Sequence, residues 1–208
     1  MKRIAAISLA TAAVVALGGC AVTGQAAGPN TAATYGQNVV TVDEVAAFTT
    51  ALGHLGVEDP DAGAAVTLLL LEPTVTDYIA ASAEVPSQAL LEEHARAWML
   101  YNGVETPEVS EDMIEAVRIV DGIFTMLNSQ ESVDAFLAAA IDISEKASVS
   151  PLYGDFDNEA FQTSLGAQVQ LVSADLQALG ELAYIPLASV SGFDEALPAW
   201  QVTEAPAE

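Results

Sequence analysis

The sequence predicts a mostly α-helical bundle closed by a small antiparallel pairing of an N-terminal strand with a late one. Three observations carry this. Apolar residues recur at helical spacing through most of the chain after residue 41. A capping-box pair, Thr41 and Glu44, opens the first of those stretches. Only two segments, near Tyr35 to Val40 and near Val149 to Tyr153, have extended character, so each is the other's available partner. With 52% apolar residues in 208 positions, the chain has material for one sizeable core, and one domain is the economical reading.

In chain order, an extended piece turns at Gly36-Gln37-Asn38 and continues through Val39-Val40. The helix opened by Thr41 places Val45, Phe48 and Leu52 on one face. Further helices are expected over Asp61 to Leu71, Val75 to Ala81, Pro86 to Tyr101, Glu111 to Leu127 and Ser132 to Glu145. Pro73 should separate the second helix from the third, because it removes a backbone donor and its ring crowds the preceding turn. In the helix from Glu111, the residues Met113, Ile114, Val117, Val120, Phe124 and Leu127 keep helical spacing, while Glu111, Glu115 and Arg118 should turn outward. In "SVSPLYGDFD", Val149, Leu152 and Tyr153 suit an extended segment, with Pro151 tolerated at a sheet edge. Gly154 suggests a positive φ, and Tyr153 is expected to pack against the first helix. A last helix is expected near Ala167 to Leu179.

The N-terminus has a different logic. Lys2 and Arg3 precede an apolar stretch from Ile4 to Leu17, followed by Gly18 and Gly19, and this is the arrangement of an export signal with its cleavage site. The stretch is shorter than the roughly 20 apolar residues an uncleaved membrane anchor needs. Cys20 is the chain's one cysteine, so it forms no internal disulfide, and two histidines cannot complete a Cys/His zinc site of the usual kind. Leu17-Gly18-Gly19-Cys20 resembles the lipobox of bacterial lipoproteins. That resemblance implies cleavage before Cys20, acylation of its thiol with diacylglycerol and palmitate-type chains, and residence on the extracytoplasmic face of the cell membrane. Residues 1–19 are then the signal peptide, and 20–33 are the lipidated cysteine and a flexible tether of small and polar residues, with a random-coil reach of roughly 20 Å.

Charge excludes some partners. Removal of the signal leaves Arg96, Arg118 and Lys146 against 29 carboxylates, a formal charge of −26. Such a surface is repelled by nucleic-acid phosphates and anionic headgroups, so no nucleic-acid partner is expected and the membrane is held through lipid on Cys20 alone. One acyl chain without a basic patch binds only marginally, so two or more are required.

The order of "VVTVDEV", the central helices, "NGVETPEVSEDMIEAVR" and "VSPLYGDFD" resembles the N-terminal domain of SurA-type chaperones, in the short actinobacterial lipoprotein form without a parvulin module. The matching elements are Gly36 to Val45, Gly103 to Met113 and Val149 to Phe156, within a domain placed at 34–157. Leu152 stands where that family often has Arg, and the resemblance leaves 158–208, with its acidic tail, unassigned. It implies a holdase-type chaperone for exported, incompletely folded polypeptides; the alternative is a structural or adaptor lipoprotein that binds one folded envelope partner.

No enzyme is expected. His54 and His94 have no nucleophile and acid placed beside them in the sequence, and nucleophile-elbow, metalloprotease and phosphate-loop motifs are missing. Both imidazoles are expected to be surface or half-buried helix residues. Asp155, Asp157 and Glu159 have the alternate spacing that opens a calcium loop, but its glycine position falls on Ala160 and its bidentate glutamate position on Gly166. No cofactor or metal is expected.

Replacing Cys20 with Ser should abolish lipidation and signal cleavage by the lipoprotein peptidase. Fractionation after salt and carbonate washing checks this: a Cys20→Ser variant that is processed and still stays quantitatively in the membrane would show that lipid is not the anchor.

Overall fold

A computed structural model describes residues 28, 30–82, 85–105, 108–179 and 184–193. Strands β1 (Thr31–Tyr35) and β2 (Asn38–Thr41) form a hairpin across Gly36-Gln37, with Gly36 at φ +60°. Five helices follow: α1 (Val42–His54), α2 (Ala62–Ala81), α3 (Gln88–Tyr101), α4 (Glu111–Met126) and α5 (Gln130–Lys146). The short strand β3 (Ser148–Val149) then pairs antiparallel with β1, Ala33 opposite Val149 and Thr34 opposite Ser148, in a sheet of order β2-β1-β3. The protein is therefore a mostly α fold with a small antiparallel closure. Leu152 and Tyr153, expected within the closing strand, lie in the turn after it, and Gly154 has φ +80°.

Local chemistry accounts for the helix starts. Thr41 Oγ1 accepts from the Glu44 amide (3.1 Å) and Glu44 Oε2 accepts from the Thr41 amide (2.7 Å), the reciprocal capping box. Asp61, Ser87, Ser110 and Ser129 cap α2 to α5, their side chains accepting from amides the helices leave unpaired. Val45, Phe48 and Leu52 are buried together as their spacing requires.

Pro73 does not divide two helices. The helix α2 runs through it from Ala62 to Ala81. The proline ring removes the donor that would reach the carbonyl of Leu69, and Asn38 on β2 replaces it, its Nδ2 donating to Leu69 O at 2.9 Å. Burial on both sides of the proline supplies the rest: Leu68, Leu70, Leu71 and Val75 are fully buried. From Ala62 to Leu68 every residue of α2 is buried, so the helix is apolar all round its N-terminal half. By length and composition alone it could cross a membrane, the one described helix that could. Seven successive residues enclosed by protein mark it as the core helix of the bundle.

The tether expected as far as residue 33 gives way to structure at Thr31, and Ala32 and Ala33 are fully buried. Small residues suffice in β1 because α2 packs against this strand and leaves little room. Nor does the fold stop at 157. The sixth helix, α6 (Asn158–Leu179), begins well before Ala167, capped by Asp157, whose Oδ1 accepts from the Ala160 amide (2.8 Å). Residues 184–193 then return to the bundle through a 3₁₀ turn (Ile185–Ser189) packed on α2, α4 and α6. Tyr184, Leu187, Ala188 and Val190 are buried in the one core. The return is stitched by backbone: Gly192 N donates to Thr67 Oγ1 (2.9 Å), Ser191 N to Ser164 Oγ (3.0 Å) and Asp157 N to Gly192 O (2.8 Å).

Two tyrosines mark how the closure is held. The Tyr35 hydroxyl donates to Asp142 on α5 at 2.6 Å, and that bond, helped by burial, pushes its pKa up to about 12. Tyr153 is 3% exposed and burial alone raises it to about 12.

Asn38→Ala should leave the Leu69 carbonyl without its donor and cost about 1–2 kcal/mol. Asn38→Asp should cost at least as much, because a carboxylate cannot donate. Urea unfolding measures both; midpoints equal to the parent's would show that the bond contributes nothing to the continuity of α2.

Candidate functional site

Two concave surfaces flank the core helix on different sides of the bundle. The larger, about 660 Å³, opens where the C-terminal end of α2, the start of α3 and the middle of α4 diverge. Tyr78 and Ile79 form its α2 wall, and Val85, Pro86 and Leu90 form the opposite one. Val85 and Leu90 are 61% and 42% exposed, unusually open for large apolar side chains that face a cavity. Gly122 lets α4 approach α2 beneath this groove, since a Cβ there would lie 2.8 Å from Ile79 Cδ1 and closer still to Val75 Cγ1. Asp121 stands at the groove's edge.

The smaller groove, about 270 Å³, lies between β2, α1 and the α2/α4 pair. Val40, Phe48 and Leu69 line it together with the exposed Val39, and four carboxylates stand around it: Glu44, Glu72, Asp112 and Glu115. Arg118 joins two of them. Its guanidinium bonds Glu115 in two places, reaches Glu72 Oε1 at 2.9 Å and donates to Thr76 Oγ1 at 2.7 Å. Hydrogen bonding to Glu115 raises the Arg118 pKa, against a lowering by burial. The expectation that Arg118 turns to solvent is thus corrected: its side chain is 21% exposed and crosses to α2, because Glu72 one helix away offers it a second carboxylate.

The other two described cations are also paired. Arg96 Nη2 lies 3.0 Å from Glu92, and Lys146 bonds Asp142, holding that carboxyl below its ordinary pKa together with the Tyr35 hydroxyl. Every Lys and Arg among the described residues therefore already has a carboxylate partner, and the charge left for a visitor is negative.

The two histidines are not brought together. His54 ends α1 in an exposed position. His94, half-buried on α3, has Nδ1 3.8 Å from Asp121 Oδ2 and its ring 6.2 Å from that of Tyr184, which in turn meets Trp98 edge-on at 5.9 Å. Asp157 is occupied as a helix cap, and no group of three or more His, Cys, Asp or Glu could hold a metal ion among the described residues. Cys20 lies outside them. Sequence reasoning missed both grooves, because each is built by residues from three or more elements; the one local signal was the run of carboxylates at Asp112 and Glu115 beside Arg118. Compared with known protein families, curated proteins and solved structures, the chain matches none.

Arg118→Met should destabilise the fold by about 1–2 kcal/mol, between the values for exposed and buried ion pairs, since Glu72 and Glu115 would face each other unneutralised. The deficit should shrink in high salt, which screens the carboxylates. Thermal unfolding at low and high ionic strength tests this; a salt-independent deficit would assign the loss to packing of the arginine stem.

Proposed function

We propose that the chain is a lipoprotein, anchored through Cys20 on the extracytoplasmic face of the membrane, that holds exported and incompletely folded polypeptides without chemistry of its own. The observation that carries this reading is the open apolar groove of about 660 Å³ with Val85 and Leu90 exposed on its wall. Support also comes from the resemblance of Gly36 to Val45, Gly103 to Met113 and Val149 to Phe156 to SurA-type chaperones, and from the lipobox.

The physics of the groove fits capture and release. Full burial of one apolar side chain is worth about 1.5–3 kcal/mol, far short of a lasting complex. A client touching the groove through one or two such residues would bind and leave quickly, as a holdase requires. Association also carries an entropy cost, which keeps the contact transient. The mature charge of −26 serves a separate purpose: two loaded copies repel each other, so a bound client does not become a nucleus for aggregation. Basic clients would be drawn in fastest, and salt would slow that encounter without abolishing the apolar contact.

The protein from Ala21 onward, made without lipid, should suppress light scattering during refolding of a basic client at near-stoichiometric amounts, and should not catalyse prolyl isomerisation. Leu90→Asp should remove most of the protection, whereas high salt should remove only part. Complete loss in moderate salt would reduce the effect to polyanion behaviour. Absence of protection under every condition, with one stoichiometric envelope partner recovered by cross-linking, would favour an adaptor.

A further inference from the structure

The smaller groove differs from the larger one in having a strand edge along its side. Among the described residues, the sheet order β2-β1-β3 leaves one side of β2 without a partner strand. In the hairpin, Tyr35 and Asn38 flank a two-residue loop and form its closing pair, so the next pair, Thr34 with Val39, is of the kind that does not exchange hydrogen bonds. Thr34 accordingly turns its backbone toward β3, where it faces Ser148, and Val39 turns its N–H and C=O toward the free side. Val39 is also 51% exposed, and none of Asn38, Val39, Val40 and Thr41 is charged. Thr41, the next residue to face that side, already gives its N–H to Glu44, so Val39 is the point at which this edge can take another strand.

Charge decides which strand it admits. Glu44, Glu72, Asp112 and Glu115 surround the groove, and Arg118 is the one cation beside them among the described residues. Asp112, on the first turn of α4, has no hydrogen-bond or ion-pair partner among the described residues. A second copy of this chain offers these carboxylates no unpaired cation among its described residues. An apolar segment without charge would gain the floor of Val40, Phe48 and Leu69 but leave Asp112 and Glu44 without a cation.

We propose that this groove docks an extended peptide segment that adds to β2 as a fourth strand, with apolar residues on the floor and a Lys or Arg directed at Asp112 and Glu44. Backbone pairing at Val39 supplies register, and the cation supplies selection. The site is separate from the α2/α3/α4 groove, and the proposal does not depend on aggregation protection.

The test uses the lipidated full-length protein in nanodiscs and a fluorescent peptide of about ten residues, alternating Val with Lys or Thr and carrying a photo-crosslinker, read by anisotropy and by mass spectrometry of the cross-link. The peptide should bind, and norleucine in place of Lys should weaken binding at least tenfold at low salt. Asp112→Asn should weaken it several-fold, and Val39→Pro, which removes the outward N–H, at least tenfold. Leu90→Asp should leave peptide binding unchanged even where it abolishes aggregation protection, which separates failure of this site from failure of the holdase. Should Val39→Pro not fold by circular dichroism, cross-links confined to β2 and the start of α4 carry the strand assignment. Equal binding of the norleucine peptide, full displacement by spermine at matched charge, an unchanged affinity in Asp112→Asn, or cross-links elsewhere would each overturn the proposal.

Discussion

The bundle depends on α2 passing through Pro73 without a break. Six elements lean on that helix: α1, α4 and α5, strands β1 and β2, and the returning 3₁₀ turn all contact it. A helix interior normally loses about 3 kcal/mol at a proline, partly from the missing donor and partly from the ring's crowding. Here the orphaned Leu69 carbonyl is satisfied from outside the helix by Asn38. The hairpin and the core helix are consequently one unit: whatever moves β2 also withdraws the donor that α2 needs. The small groove lies across this junction, with Asn38 and Leu69 both on its lining.

Much of the fold is legible in the sequence because helix periodicity and capping are local. Thr41 with Glu44, and the apolar spacing of Val45, Phe48 and Leu52, require no knowledge of neighbours. Pro73 misleads for the opposite reason: its penalty is local, but the compensation comes from Asn38, far along the chain, and from burial of Leu68, Leu70, Leu71 and Val75 before and after it. The start of α6 is hidden in "DFDNEAF", whose alternating carboxylates suggest a cation loop, whereas Asp157 works as a helix cap and Phe161 and Leu165 behind it already have core spacing. The return of residues 184–193 has no local signature. It is written in backbone bonds to Thr67 and Ser164, which no pattern in the segment itself announces.

The candidate sites are less legible than the fold. The sequence shows a very acidic chain with three cations beyond residue 3, and nothing in that count reveals where they go. The structure uses each as an internal tie. Arg96 braces a turn of α3, Lys146 supports Asp142 under the Tyr35 hydroxyl, and Arg118 joins α4 to α2. Scarcity of positive charge thus has two results: each described cation is held in an ion pair, and most of the carboxylates are left without a cation.

β1 is the middle strand of the sheet, hydrogen-bonded to β2 on one side and β3 on the other. It is also the first described strand, so a membrane anchor ahead of it would deliver mechanical load there before anywhere else. A pull directed along the axis of β1 loads both ladders in shear instead of unzipping bonds one by one. Shear distributes force over several hydrogen bonds simultaneously, and a terminal edge strand would peel under a much smaller pull. The topology that closes the bundle therefore also fixes β1 from both sides against a pull along its axis.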